Sequence, residues 1–367
     1  MKSIAKWAAL LLLPALIGFL CAPLLHAQGA LGTGLVMAAT LAVTNPTLLD
    51  LAKLMDPDGK ISDIVEILNA VNPVLEDMTW IEGNLVTGHR TTIRTGIPTP
   101  TWRKLYGGVQ PNKGTTVQVT DTTGMLEAYA EVDAAEAELN NNEAAWRLSE
   151  DSAHIEGISQ EIAQTLFYGN ETTEPEAFTG LSPRFNSLSA PNADNIIDHG
   201  GTGSDNASIW LVVWGRRTVH GIVPKGSKAG LQVTDKGQVT VENVDGAGGR
   251  AEMLRTHYKM NGGLMVRDWR SISRICNIDV SDQATASNAK NLVASMIKAT
   301  ERIHNLGAGR ACFYMPRTIR EALRIGILEK ISTNLSWETV AGKRVMVFDD
   351  IPVKRTDALL TTEARIT

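Results

Sequence analysis

The stretch from Glu143 to Leu181 constrains this chain more than any other. Leu148, Ile155, Ile158, Ile162 and Leu166 recur at gaps of seven, three, four and four, one apolar stripe at helical period. Arg147, Glu150, Glu161 and Gln164 lie off that stripe. At a rise of about 1.5 Å per residue, the segment from Glu143 to Tyr168 makes a rod of about 40 Å, longer than most globular helices. Gly169 is placed to stop the rod in a left-handed cap, and Asn170, Pro175 and Gly180 then impose a turn-rich exit to Leu181.

Upstream of the rod, His89–Thr95 and Thr115–Thr120 are rich in threonine and β-branched residues and read as a two-stranded finger. Their connection carries three prolines, Gly107, Gly108 and Gly114. So long a loop would argue against pairing inside a compact domain, but it suits a finger that projects onto a neighbouring molecule. From Asn84 to Thr120 the chain holds Arg90, Arg94, Arg103, Lys104 and Lys113 and no acid. From Glu143 to Glu161 it holds Glu143, Glu150, Asp151, Glu156 and Glu161 against Arg147 alone. One reading is two solvated faces with unrelated biases. The sharper one sets Arg90, Arg94, Trp102, Arg103 and Lys104 of one copy against Glu150, Asp151, Glu156 and Glu161 of the next, with charge favouring the correct register.

Two short helical patterns lie between Thr47 and Asn69, separated by Asp56-Pro-Asp-Gly59, which reads as a turn rather than a calcium loop. Downstream, Ile209–Trp214 reads as a buried strand, followed by a β-rich region to Val244. Asn261-Gly262 is a hairpin signal, predicting paired strands over Glu252–Tyr258 and Gly263–Ile278. A second helix is expected from Asp282 to Leu306, capped by Ser281 or Asp282, with Ala289, Leu292, Val293, Met296, Ile303 and Leu306 on its apolar side. Then come a strand over Ala311–Met315, a helix opened by Pro316 and running to Ile331, and closing strands over Arg344–Phe348 and Ile351–Val353. Without a regular βαβ rhythm, the class is α+β.

Several phrases carry a resemblance. Phe167-Tyr-Gly-Asn170, Pro175 and Phe178-Thr-Gly-Leu181 resemble the end of the spine helix in tailed-bacteriophage major capsid proteins of the Hong Kong 97-type fold. Gly263-Leu-Met-Val-Arg-Asp-Trp-Arg270, Lys225-Gly-Ser-Lys-Ala-Gly-Leu231 and Pro98-Thr-Pro-Thr-Trp-Arg-Lys-Leu-Tyr-Gly-Gly108 are similar to runs in the capsid proteins of short-tailed phages and prophages. The similarity covers roughly residues 41 to 367. It implies an N-terminal arm over 37–80, an extended β-hairpin loop (E-loop) over 81–130, a peripheral domain with the spine helix over 131–190, and an axial domain with the remaining peripheral strands over 191–367. It also implies a subunit that assembles with itself into pentamers and hexamers of an icosahedral head in the host cytoplasm. The implied partners are a separate scaffolding protein, a portal, and packaged double-stranded DNA contacted non-specifically, with no membrane.

The residues point to no enzymatic chemistry. Gly221-Ile-Val-Pro-Lys-Gly-Ser-Lys228 and Gly108-Val-Gln-Pro-Asn-Lys-Gly-Thr115 approach a phosphate-binding loop, but both misplace the lysine that must precede Ser or Thr after the second glycine. H-E-x-x-H, G-x-S-x-G and G-x-G-x-x-G are absent. His154 has Glu150 one turn back, an ion-pair spacing rather than a metal site. Cys21, Cys276 and Cys312 form no CxxC, and the latter two read as buried thiols. We expect no catalytic, cofactor or metal residues. A net charge of −5 excludes a protein that coats nucleic acid with its whole surface.

Residues 1–36 conflict with this reading. Lys2 and Lys6 precede an apolar run from Trp7 to Ala22, the layout of a secretory signal. A shell subunit has no use for export, so Met37 is the expected start and 1–36 a misassigned extension. Two alternatives stay open: an encapsulin-like cellular compartment, and a secreted protein of unknown activity if residues 1–36 are a working signal.

Overall fold

Every residue from Asn206 to Trp214 is buried, because this strand has a packed layer on each face. Trp210, Val212 and Trp214 point into one core and Ile209, Leu211 and Val213 into the other, the period-two alternation of a strand between two apolar layers. The computed structural model describes residues 72–138, 143–243, 248–284, 286–328, 335–340 and 343–367. The expected start at Met37, the helical patterns between Thr47 and Asn69, Asp56–Gly59 and Cys21 lie outside the described residues.

In chain order the strands are β1 (Trp80–Glu82), β2 (Gly88–Gly96), β3 (Thr115–Thr122), β4 (Gly124–Asp133), β5 (Ile196–Asp198), β6 (Asn206–Trp214), β7 (Val219–Val223), β8 (Leu231–Glu242), β9 (Arg250–Val266), β10 (Ile272–Asp279), β11 (Arg310–Met315), β12 (Leu335–Val340), β13 (Lys343–Phe348) and β14 (Ile351–Arg355). The main helices are the spine (Glu143–Tyr168), a second (Ala286–Arg302) and a third (Arg317–Leu328). Among the described residues no helix is long and apolar enough to cross a membrane.

The chain divides into two compact units. The described part of the larger comprises residues 72–129, 150–234 and 257–367. In it, β12, β13, β14, β11 and β6 follow one another across the sheet. β6 pairs antiparallel with both β11 and β10, Leu211 facing Phe313 on one side and Ser273 on the other. β1 runs parallel to β7, and β7 antiparallel to the end of β9. One core holds Leu166 and Phe167 of the spine with Leu181, Phe185, Trp210 and Tyr314. The other seats Leu292 and Met296 of the second helix and Ile319 and Leu323 of the third against β6, β11 and β13. Cys276 and Cys312 are buried and free, and burial pushes each thiol up to about 11.

The smaller unit draws on residues 130–149 and 235–256. Arg147 bonds Asp235 at 2.8 Å and the Thr256 hydroxyl at 3.2 Å. Arg255 bonds Glu131 at 2.5 Å, and Thr240 donates to Glu252 at 2.5 Å.

Two expectations are corrected, and one strand is new. Asn261-Gly262 makes no hairpin: β9 runs unbroken through it, and the next strand begins only at Ile272. A Cβ on Gly262 would lie 3.2 Å from the Trp80 ring and one on Gly263 2.5 Å from the Thr122 carbonyl, so both glycines serve close approach rather than a turn. The second helix is shorter than expected, with 3₁₀ turns at Ser281–Ala284 and Leu306–Ala308 outside it. β12, which hydrophobic patterning did not suggest, pairs with β13 and has its Ser336 and Glu338 exposed.

Candidate assembly surfaces

The finger forms as the threonine-rich pattern requires. β2 and β3 pair antiparallel from Gly88 opposite Thr122 to Gly96 opposite Thr115, as a sheet of their own. The root is anchored and the tip is not. At the root, Asp121 is buried and accepts from Arg184 at 2.9 Å and from the Val266 backbone at 3.2 Å. Arg184 also donates to the carbonyls of Gly180 and Thr179, both at 3.1 Å, which ties the finger to the segment leaving the spine. Asn84 exchanges two bonds with the Arg90 backbone, at 2.7 and 2.8 Å.

Beyond Gly96 the finger is exposed. Trp102 and Tyr106 are as open as isolated side chains, at 102% and 98%, and Ile97 and Leu105 stand at 82%. Tyr106 takes a left-handed φ of 62° in a turn closed by the Gly107 amide on the Lys104 carbonyl, 3.0 Å. Arg90, Arg94, Arg103, Lys104 and Lys113 are exposed, and among the described residues no ion pair joins any of them to an acid. Arg90 reaches only the neighbouring Thr120 hydroxyl, at 3.1 Å.

On the spine, Ile158, Ile162 and Leu166 face the core, whereas Ile155 is 42% exposed. The Glu150 side chain lies outside the described residues. Asp151 is half-buried, Glu156 accepts from Gln160 at 2.8 Å, and Glu161 is exposed. Glu161 rims a mainly apolar groove of about 140 Å³ lined by Trp80, Met125, Ile162, Phe178 and Met260. His154 stacks on Tyr258, ring centroids 5.9 Å apart and nearly parallel; its expected partner Glu150 has its side chain outside the described residues.

The end of the spine also departs from expectation. Gly169 does not adopt a positive φ. Its amide closes the last helical turn on the Thr165 carbonyl at 2.8 Å. The chain then folds back, and the amides of Gly180 and Leu181 reach the carbonyls of Gly169 and Leu166 at 2.8 and 3.0 Å, satisfying helix-end acceptors that otherwise lack partners. A Cβ on Gly169 would stand 2.4 Å from the Phe178 carbonyl and one on Gly180 2.5 Å from that of Thr165. Both positions require glycine for proximity. Pro175 lies in the exposed turn between them.

Two buried charge clusters escaped sequence reasoning. Arg274 bonds Glu363 at 2.8 Å, Ser208 at 3.0 Å and the Phe185 carbonyl at 2.8 Å, with its guanidinium 4.8 Å from the Trp210 ring centre. Tyr168 donates to Glu363 at 2.5 Å, and burial, then the Glu363 charge, pushes its hydroxyl well above the ordinary range. Asp77 gathers Lys354, Arg310 and Tyr314 at 2.5, 2.9 and 2.7 Å. No local motif marks either cluster, since the partners lie far apart in sequence. Both fasten distant chain segments to one another.

The arrangement is a buried scaffold that presents an unpaired basic and aromatic finger and a partly acidic spine. A search of curated proteins returned no match. Among solved structures, a chain of bacteriophage Epsilon15 shares 39% identity over 88% of this chain and 98% of that one, with a TM-score of 0.69. The bacteriophage JBD30 capsid aligns at 9% identity over 80% and 93%, TM-score 0.49. An encapsulin of Synechococcus elongatus PCC 7942 aligns at 10% over 65% and 97%, TM-score 0.42. The family model described as Major capsid protein GP7 matches residues 56–367, and the chain belongs to that family.

Proposed function

We propose that this chain builds its shell by laying the finger of one copy across the spine of the next. As a major capsid protein it is a structural component of the phage head and assembles with copies of itself. The observation that supports the finger's role is its tip: Trp102, Leu105 and Tyr106 are open to water beside Arg103 and Lys104. Such a group is uneconomical on an isolated subunit and is the composition of an interface anchor. Arg90 and Arg94 lie along the finger, where they would meet Asp151, Glu156 and Glu161 of the neighbour, with Glu150 nearby in sequence. In this reading pentamers and hexamers use the same contact with small adjustments, enclosing double-stranded DNA held non-specifically. A separate scaffolding protein and a portal complete the assembly, and no catalytic role is assigned to any residue.

The test is Trp102→Ala in the full chain. The side chain touches little of its own subunit, so melting of the subunit is expected to stay within about 0.5 kcal/mol of wild type. The yield of closed shells in negative-stain electron microscopy is expected to fall severalfold. An unchanged shell yield would remove the finger tip from the contact.

A further inference from the structure

The third helix carries a basic face that the assembly reading does not use. Arg317, Arg320 and Arg324 are spaced by three and four residues, which puts them on one side of it. Arg355, the last residue of β14, joins them across a concavity of about 430 Å³. Trp337 of β12 forms part of its wall, with the Arg324 guanidinium 5.4 Å from the ring centre.

The counter-charge here is incomplete. Asp357 accepts from Arg317 at 3.3 Å and from Arg355 at 3.0 Å, and among the described residues Glu321 is the only acid in the lining. Four guanidiniums against two carboxylates leave a formal excess of two positive charges. The Nε atoms of Arg320 and Arg355 are buried and have no hydrogen-bond partner among the described residues. Leaving a charged donor buried and unbonded is costly, as is holding guanidiniums close together. Burial, then the charges of Arg324 and Arg355, lowers the pKa of Arg320. Structural surfaces relieve such crowding with acids, and among the described residues this one has too few.

We propose that this concavity binds a phosphate group, either the free ion or the phosphates of a nucleic-acid backbone. Guanidinium forks match the geometry of tetrahedral oxyanions and bond them in pairs. A phosphate dianion, or two adjacent backbone phosphates, matches the excess charge, whereas a lone carboxylate supplies only one negative charge. The volume leaves room for the ion with its water, or for a short run of backbone. The bound anion supplies acceptors to the Nε donors of Arg320 and Arg355 and offsets the repulsion among the arginines.

The experiment uses the purified full-length chain and sodium phosphate as the probe, with sodium chloride at matched ionic strength as the reference. Phosphate at about 100 times its Kd is expected to shift the folding equilibrium about 100-fold toward the native state. Arg320→Gln/Arg324→Gln is expected to lose that response and to be at least as stable as wild type without phosphate, because like charges have been removed. Arg324→Gln alone, at an exposed position, is expected to weaken the response and guards against misfolding of the double variant. Arg217→Gln, an exposed arginine outside the concavity, is expected to respond as wild type. A short DNA duplex that displaces phosphate, with affinity falling steeply as salt rises, assigns the site to backbone phosphates. A duplex that leaves phosphate bound assigns it to the free ion. The proposal is overturned if chloride reproduces the shift, if the double variant responds fully, or if a glutamate-rich peptide displaces phosphate at lower concentration than duplex or ion.

Discussion

His220 lies buried in β7 with its ring edge-on to His89 of the finger, centroids 6.0 Å apart. Burial, then the charges of His89 and Arg267, holds its pKa down to about 4 against an ordinary 6.5. A depressed histidine favours the neutral form in the fold, so its contribution is complete above pH 6.5 and is lost as pH falls from 6.5 toward 4. At about 1.4 kcal/mol per pH unit, the loss is on the order of 3 kcal/mol. Urea unfolding of subunits at pH 7.5 and pH 4.5 is expected to show a clearly smaller difference for His220→Gln than for wild type; equal differences would mean that His220 is protonated freely in the fold. Two glycines of the spine give a test with opposite signs. Gly169→Ala drives a Cβ against the Phe178 carbonyl and is expected to cost about 1–3 kcal/mol. Gly157→Ala points a Cβ into open space within the helix and is expected to add about 0.5–1 kcal/mol. Thermal melting of the pair checks both. Glu363→Ala, which strands the buried Arg274, is expected to cost about 3–5 kcal/mol by the same measurement.

Among the elements, the finger and the spine were legible in sequence because each is governed by local chemistry: threonine and β-branched residues for one, a period-3.6 stripe for the other. The extent of β9 was not. Asn261-Gly262 signals a turn on local grounds, but Trp80 and Thr122 from distant segments press on Gly262 and Gly263 and keep the strand extended. Gly169 was legible as a stop and misread as to cause, since the Phe178 carbonyl that demands a missing side chain comes from the returning chain. The basic and acidic residues of finger and spine could be counted from sequence, but the Asp121–Arg184 anchor could not, because its halves are sixty-three positions apart. That anchor carries an element-scale prediction. Asp121→Asn weakens a buried charged bond and is expected to cost about 1.5–3 kcal/mol. It should also speed limited proteolysis within residues 97–114 while β6 and its neighbours stay protected. Unchanged cleavage would show that the finger's root is held by its strand pairing alone.

At the scale of the whole molecule, two cores flank β6 within the larger unit, and the exposed tip of the finger takes part in neither of them. Single exposed ion pairs contribute only about 0–1 kcal/mol. A shell repeats each contact many times, so a small preference per contact can decide whether assembly proceeds. If finger and spine meet between copies, added salt slows the early steps by screening, and reversing finger charges does the same without unfolding the subunit. The most direct measurement is light scattering of purified subunits assembling at low salt, comparing wild type with Arg90→Glu/Arg94→Glu at equal melting temperature. The account predicts that the double reversal assembles several times more slowly or not at all, and that the gap narrows as salt is raised. Equal assembly rates at low salt would contradict it.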